Sequence, residues 1–377
     1  MADYGGTVNS STYSGREFKV YIGADATVGA INSSTDGATM YRLDIEGITL
    51  PTFSPNQEFE MRTGTGRVAE FGAMFSSSKG VATEFSLSGR VTLQDLPILM
   101  ENVLAQEATD SDNKFEIATG YSPTTFKHGD ATGATVFSKT LTVSFIAPTA
   151  ADSYHIPGCV CTNLALTADM GTASGRYDYS ATFTSRYKPT KAADSLTAAK
   201  ELSTTLGSTN MFLSDQSTKD LNVMEIDGSG TDHTSINPIL NSFSLTIDSP
   251  SIGLGSQGSD AEPEVFARAV PEMNLTVAGS LKYDTETDKL LEAHRDAAQT
   301  SYMQMVLSNV AINSNLETLG SIEIDDIATQ KFAVIVPQAK LISASVGSGD
   351  VATLDFEAKV VDPGSNKIIH IATGATA

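Results

Sequence analysis

The strongest constraint on the fold of this chain is a hydrophobic pattern that repeats every two residues. Between residues 85 and 93, apolar residues or glycine alternate with polar ones, and they do so again between residues 273 and 283. Successive side chains of a strand point to opposite faces, so this alternation predicts antiparallel strands buried on one face. Shorter alternating segments predict five further strands, at residues 41–45, 141–145, 177–183, 243–247 and 354–360.

Two segments have the helical period instead. Residues 95–106 carry Asp95 as a candidate N-cap, Pro97 in the first turn and an apolar stripe along one side. Residues 285–299 carry a second stripe, and Thr285 and Asp288 there resemble a capping box. The sequence therefore predicts a mainly β chain of the α+β type with two helices.

These elements recur in the same order in both halves of the chain. Gly89 and Gly279 each lie in a predicted strand that leads to a helix, and Pro157 is matched by Pro337. Each half also begins with a short predicted strand, at 18–22 and near 211–213. This recurrence predicts a duplicated domain, with two unrelated β domains as the alternative.

We therefore expect two tandem antiparallel β-sandwich or barrel domains, each with one flanking helix. The first spans residues 1–189 and includes a long arm at about 52–80, and the second spans 208–363 with a shorter arm at about 249–270. An Ala-rich linker, which could form a short helix, occupies 190–207, and a C-terminal tail occupies 364–377.

Both arms are predicted to be β-hairpins. In the first, alternating segments flank a glycine-rich tip at 63–66, and no other segment is an obvious partner for their apolar faces. Exposed apolar β-arms promote aggregation unless another chain covers them, so we expect an oligomer held by β-augmentation. The candidate assembly residues are Phe59, Met61, Arg62, Arg67, Val68, Phe71, Ile252, Leu254, Val265 and Phe266.

The chain is strongly acidic. Its 377 residues include 24 Lys and Arg against 45 Asp and Glu, for a net charge of −21. A nucleic-acid-binding protein needs a basic face, so specific binding to DNA or RNA is not expected. No apolar run approaches the roughly 20 residues of a membrane helix, and the first residues lack a signal-peptide pattern, so we expect no membrane association.

No segment carries a strong catalytic, metal or cofactor signal. Cys159 and Cys161 are too close along a strand for an ordinary disulfide and are interpreted as small reduced residues. Residues 253–258 match a dinucleotide-binding fingerprint, but an acidic segment with a proline follows them instead of a helix. Residues 227–232 lack the ligand series of a calcium loop, and the acidic residues at 323–326 are interpreted as a solvated loop. We therefore expect no enzyme activity and no cofactor.

The order of elements resembles the major tail tube protein of long-tailed (siphovirus-type) bacteriophages, in the subtype with two tandem tube domains. The resemblance covers residues 16–363 and rests on the order strand, arm, Gly89 or Gly279 strand, helix, Pro157 or Pro337, and closing strand. It implies that the sheets of adjacent domains join into an inner barrel. It also implies that three chains form a ring with pseudo-sixfold symmetry, and that rings stack into a hollow tube.

The resemblance further implies partners and a location. The protein would be a structural virion protein that assembles with itself in the host cytoplasm and contacts the tape-measure, tail terminator and distal tail proteins. Double-stranded DNA would pass through the tube without specific binding, which suits an acidic wall that repels phosphate. The alternatives are another virion component, such as a tail terminator, decoration protein or spike base, and a carbohydrate-binding or adhesion module. The candidate lumen-facing residues are Glu84, Ser86, Ser88, Arg90, Asn274, Thr276, Ser280 and Lys282.

Overall fold

A computed structural model describes residues 17–25, 29, 40–49, 52–59, 74–93, 95–104, 114–118, 127–129, 140–172, 175–187, 189–191, 211, 213, 218–225, 233–236, 239–255, 263–268, 274–295, 301–308, 332–362 and 367–372. Within these residues the protein is mainly β, its strands pair in antiparallel fashion, and two α-helices are present. Neither of these helices is long and apolar enough to cross a membrane. The expectation of a mainly β chain is confirmed.

The strands of the first half are β1 (Lys19–Ala24), β2 (Tyr41–Arg42), β3 (Ile45–Ile48), β4 (Thr52–Phe59), β5 (Met74–Arg90), β6 (Lys114–Ala118), β7 (Lys127–Gly129), β8 (Leu141–Ile146), β9 (Tyr154–Asp169), β10 (Tyr177–Ser185) and β11 (Thr190–Lys191). Those of the second half are β12 (Thr218–Glu225), β13 (His233–Ile236), β14 (Leu240–Asp248), β15 (Ser251–Gly255), β16 (Pro263–Arg268), β17 (Asn274–Lys282), β18 (Ser301–Ser308), β19 (Ala333–Ser348), β20 (Ala352–Val360) and β21 (Lys367–Ala372). The helices are α1 (Leu96–Leu104) and α2 (Asp288–Arg295). All seven segments predicted as strands from the alternating pattern overlap strands of this set.

Two long strands, β9 and β19, change neighbours along their length. The first half of β9 pairs with β8 and β11, and its second half pairs with β10 and β14. The first half of β19 pairs with β18 and β21, and its second half pairs with β20. A register irregularity lies near the change-over in each strand, at Thr162 in β9 and at Ile342 in β19. Such irregularities bend a strand, which allows its two halves to pair with different strands.

The second halves of β9 and β19 belong to one continuous sheet, here called the central sheet. Its strand order is β3 and β4, then β5, β10, β9, β14, β17, β20 and β19. The pairing of β9 with β14 connects the two halves of the chain and matches residues from Asp169 with Ser242 to Asn163 with Asp248. The two halves are therefore joined by main-chain hydrogen bonds.

One face of the central sheet is apolar and contributes to the core. Alternate side chains from Tyr177 to Phe183 in β10 are buried, as the period of two requires. The ring of Phe183 stacks on that of Phe85 with centroids 5.4 Å apart, and the ring of Tyr177 meets that of Phe332 edge-on at 5.1 Å. One hydrophobic cluster includes residues of both halves of the chain, so the two halves share a core.

The helices lie close to their predicted positions. The carbonyl oxygen of Asp95 accepts a hydrogen bond from the Leu99 amide at 3.1 Å, which makes Asp95 the N-cap of α1. The predicted capping box of α2 is wrong by one residue, because the carboxylate of Asp284, not Thr285, accepts hydrogen bonds from the amides of Glu286 and Thr287, each at 3.1 Å. The side chains of α1 that are buried include its whole apolar stripe.

Three expectations at the ends of the two halves differ from the structure. Neither Met211 nor Leu213 lies in a strand, so the predicted first strand of the second half is wrong. The strand β12 instead pairs with β18 in the second half, as β1 pairs with β8 in the first. The predicted linker begins with β11, and residues 192–207 lie outside the described residues. The predicted C-terminal tail contains β21, which pairs with β19 and β6, and Ile369 and Ile371 are fully buried there.

Candidate functional site

The polar face of the central sheet brings the candidate lumen-facing residues together. Directly opposed residues share a face of a sheet, and the register leads from Ser88 through Ser180, Ala165 and Thr246 to Thr276. The two candidate sets, one on β5 and one on β17, therefore lie on the same face of one sheet. Glu84 and Lys282 are exposed, and the other six candidates are half-buried.

The charges on this polar face are of both signs, with an acidic excess. Within β5, β10, β9, β14, β17 and β20 it carries six acidic and three basic side chains. These are Glu84, Asp169, Asp178, Asp248, Asp355 and Glu357, and Arg90, Lys282 and Lys359. Electrostatic interactions of such surface charges extend over a Debye length of about 8–10 Å at moderate salt.

An ion-pair network lies at the β5–β10 end of this face. Arg90 Nε donates to Glu46 Oε1 at 2.7 Å, and this hydrogen bond raises the pKa of the Arg90 guanidinium. Arg176 lies 3.0 Å from Asp178 and 3.4 Å from the same Glu46 oxygen. Arg90 and Glu46 are partly exposed to solvent, so the network orients β3 against β5 more than it stabilises the fold.

A shallow cleft of about 460 Å³ lies over the junction between the two halves. The β9–β10 turn, the start of β14 and parts of β17 and β20 line it, and its polar side chains include Asp169, Arg176, Asp178 and Asp355. No group of three potential metal-ligating residues occurs among the residues that the structure describes.

The junction between β9 and β14 is buried on its apolar side. Leu164 and Leu166 of β9 are opposite Ile247 and Leu245 of β14, and all four side chains are fully buried. On the polar side, the Asn163 amide donates to the Asp248 carboxylate. The junction thus has the properties of an interior strand pair, although it connects parts of the chain far apart in sequence.

Two strands at opposite ends of the central sheet, β3 and the second half of β19, are incompletely covered within the described part of the chain. Residues 341–348 of β19 pair with β20 on one side, and β3 pairs with β5 on one side. No described strand pairs with the other side of either segment. Their apolar side chains are correspondingly half-buried or exposed, with Ile342 at 52% and Val346 at 42% exposure. Ile45 and Ile48 of β3 are half-buried against the core. Apolar residues along an open strand edge mark a surface that can add a further strand.

The hairpin arms are described only in part. β4 pairs with the first residues of β5 in antiparallel fashion, with Phe59 opposite Met74. The predicted tip and the candidates Met61, Arg62, Arg67, Val68 and Phe71 lie outside the described residues.

The second arm has a neighbour that the sequence did not predict. Ile252 and Leu254 lie in β15, Val265 and Phe266 lie in β16, and the two strands pair with each other. β16 also pairs with β7 of the first half, which places Phe266 opposite His128. β7 is only three residues long, and its sequence, Lys-His-Gly, has no strand pattern that could have indicated this contact.

Two acidic residues of the described part, Asp25 and Asp95, are buried. Asp25 accepts four hydrogen bonds at the end of β1, and burial raises its pKa in spite of them. Burial raises the pKa of Asp95 to about 7, and nearby Asp44 adds to the effect. Oδ2 of Asp95, Oδ2 of Asp44 and the hydroxyl of Tyr179 are buried without a hydrogen-bond partner among the described residues. Sequence patterns pointed to Asp95 as a helix cap but not to its burial.

The remaining sequence candidates have structural positions or fall outside the described part. Cys159 and Cys161 are buried and not joined by a disulfide, and burial raises the pKa of the Cys159 thiol. The first residues of the dinucleotide-like motif lie in β15. Residues 227–232 and 323–326 lie outside the described residues. No protein-family model matches the chain, and a search of curated proteins gives no match either.

Proposed function

We propose that this chain is a structural virion protein, the subunit of a phage tail tube, in which two tandem tube-type domains of one chain contribute to a hollow cylinder. Three chains form a ring of pseudo-sixfold symmetry, rings stack into a helical tube, and DNA passes through it during genome ejection. The subunit acts without a cofactor and without catalysis.

The observation that carries the proposal is the continuous central sheet, in which β3 and the second half of β19 have edges that no described strand covers. Its two halves are joined within the chain by a strand pair, β9 with β14, and the strand pairings around β9 are repeated around β19. The edges of β9 and β14 join the two halves within one chain, and the corresponding edges of β19 and β3 remain for contacts with other chains. A chain with two such complementary edges can bind the next copy in the same way each time, and this repetition can close into a ring.

The distribution of polarity also supports a conduit. The central sheet has an apolar face that belongs to the core and an opposite face rich in Ser, Thr and Asn with an acidic excess. Such a face repels DNA phosphate and offers few basic side chains for counterion release, so DNA would slide along it with little retention. The tape-measure protein would occupy the same channel before the genome.

Electron microscopy of the purified full-length chain tests the proposal. In negative stain we expect hollow tubes or rings with threefold symmetry, and light scattering should give a mass that is a multiple of three chains. Rings that never stack would favour the alternative of another virion component, such as a tail terminator. A chain that stays monomeric at all concentrations, also with the neighbouring virion proteins present, would refute it.

A further inference from the structure

The junction between β9 and β14 shows how an edge of this sheet accepts another strand. The Ser249 amide donates to the Thr162 carbonyl, and the Met170 amide donates to the Asn241 carbonyl, each at 2.8 Å. These bonds mark the hydrogen-bonded pairs, and the pairs between them alternate in type. Ala165 and Thr246 are therefore a non-hydrogen-bonded pair on the polar face, where opposed side chains come closest.

The strand β19 is built like β9, but no described strand takes the place that β14 has beside β9. Both strands have 16 residues, both pair with a following nine-residue strand, and both have an irregularity five residues after a proline, Pro157 or Pro337. Matching the irregularities places Val346 at the position of Leu166. Leu166 is fully buried beneath β14, whereas Val346 is 42% exposed. Leu166 has β14 beside it, whereas no strand of the described part lies beside Val346, and this difference accounts for the exposure of Val346.

The strand β3 is placed like β14, and on its other side too no strand lies among the residues that the structure describes. Ile45 is opposite Gly89 of β5 as Phe243 is opposite Gly279 of β17. The strand β3 has one extra residue, Glu46, at an irregularity between Ile45 and Gly47. Beyond it, Ile48 is opposite Leu87 as Leu245 is opposite Val277, so Ile48 takes the position of Leu245. Phe243 and Leu245 are buried, whereas Ile45 and Ile48 are only half-buried.

We propose that a second copy of this chain adds its β3 to the open edge of β19, antiparallel and in the register of the internal junction. Val346 of one copy then lies opposite Ile48 of the next, and Ser345 lies opposite Thr49. The contact is heterologous, so it repeats from chain to chain and closes into a ring. That the ring closes with three chains rests on the proposed function. The pairing of β3 with β19 does not depend on the number of chains and is tested separately.

Cysteine cross-linking of the full-length chain tests the register. We would combine Thr49→Cys with Ser345→Cys, because both side chains are exposed and match the close pair Thr246 and Ala165. A non-hydrogen-bonded pair has Cα atoms about 4.5 Å apart, within the range of a disulfide. The two edges are at opposite ends of the central sheet, so a bond can form only between chains. The native cysteines are buried and give no background.

After mild oxidation, most of the double variant should migrate on a non-reducing denaturing gel as covalent multimers. The largest multimer should contain as many chains as one ring, and reduction should return all of them to monomers. The control pair, Thr49→Cys with Ser343→Cys, is two residues out of register and should cross-link at least about tenfold less, because diagonal neighbours are about 7–8 Å apart. Each single variant should stay uncross-linked.

The outcomes separate the inference from the proposed function. Tubes or rings without cross-linking, or stronger cross-linking of the control pair, would overturn the proposed register of β3 against β19. Neither result would contradict the proposed tube. Cross-linking without tubes or rings would support the edge contact and count against the tube. A chain that neither cross-links nor associates would overturn both.

A second pair of variants probes the same edge without cysteine. Val346→Arg places a charge on the apolar side of the open strand and should lower association at least about tenfold, since charged residues on an edge oppose strand addition. Val351→Arg is the matched control, because Val351 is more exposed, at 67%, but lies in the turn beyond the paired segment. Equal association of both variants and the wild type would overturn the contact.

Discussion

The buried carboxylate of Asp25 provides the most direct test of how the first half is held together. Its Oδ2 accepts hydrogen bonds from the Thr140 hydroxyl at 2.6 Å, the Gly158 amide at 2.9 Å and the Gly29 amide at 3.1 Å, and its Oδ1 accepts one from the Thr142 hydroxyl at 2.5 Å. One side chain thus connects the end of β1 with β8, β9 and the loop that follows β1. Removing it should loosen all of them together.

The size of the effect follows from the number of donors that lose their acceptor. In Asp25→Ala four donors lose it. The two hydroxyls can rotate towards other acceptors, but the two backbone amides cannot. A buried unsatisfied donor costs about 1–3 kcal/mol, so we expect a loss of roughly 4 kcal/mol. Asp25→Asn keeps an oxygen for the three donors at Oδ2 and should cost about 1 kcal/mol.

Urea unfolding followed by circular dichroism measures both variants, and pH provides the control. Burial raises the pKa of Asp25 above its ordinary 3.8, so the folded state binds this proton more tightly than the unfolded state. The wild type therefore loses stability as the pH rises from about 4 through the raised pKa, whereas Asp25→Asn does not. The deficit of Asp25→Asn should shrink on going from pH 4 to pH 8. Equal losses in the two variants, or a loss below about 1 kcal/mol in Asp25→Ala, would refute the reasoning.

Three further predictions concern the cap of α1, the close approach of the chain to Gly89 of β5, and the first arm. Asp95→Asn keeps the oxygen that accepts from Thr92 but removes a carboxylate whose pKa burial raises from 3.8 to about 7. Loss of this buried charge should stabilise the fold by on the order of 4 kcal/mol at pH 8 and little at pH 4, as measured by urea unfolding at both pH values. Gly89→Ala places a Cβ 1.9 Å from the Asp44 carbonyl oxygen and should cost more than about 2 kcal/mol, whereas Gly349→Ala, with 3.4 Å to the nearest atom, should be neutral by the same assay. Deleting residues 62–67 should stop tube growth in electron microscopy and leave the circular dichroism spectrum unchanged. If the variant instead unfolds, the arm is part of the core and the assembly role is wrong.

The period of two was sufficient to locate the principal strands, because the alternation of faces is a local property of an extended chain. In β14, Phe243, Leu245 and Ile247 are buried and the residues between them are half-buried, as the sequence pattern predicts. Helix α1 was predicted equally well, since its N-cap and apolar stripe are also local features. The prediction for α2 differed at the cap because Asp284 and Thr285 are neighbours with similar capping ability.

The strands that were missed depend on distant partners. Residues 367–372 are a short apolar run near the end of the sequence, and only their position between β19 and β6 makes them a buried strand. β12 and β7 have weak patterns of their own and are recognised by their pairing with β18 and β16. The buried acid Asp25 also had no sequence signal, because its four donors come from three separate segments.

The amino-acid sequence by itself therefore determined the mainly β fold class, the segments that form the main strands, and the face of each of these strands that is polar. Side-chain polarity encodes these properties residue by residue. Only the tertiary structure decided that β9 joins β14 across the two halves, and that β3 and the end of β19 each have an edge that no described strand covers. Strand pairing is made by main-chain groups that every residue shares, so which edges meet depends on the packing of the whole chain rather than on any local pattern.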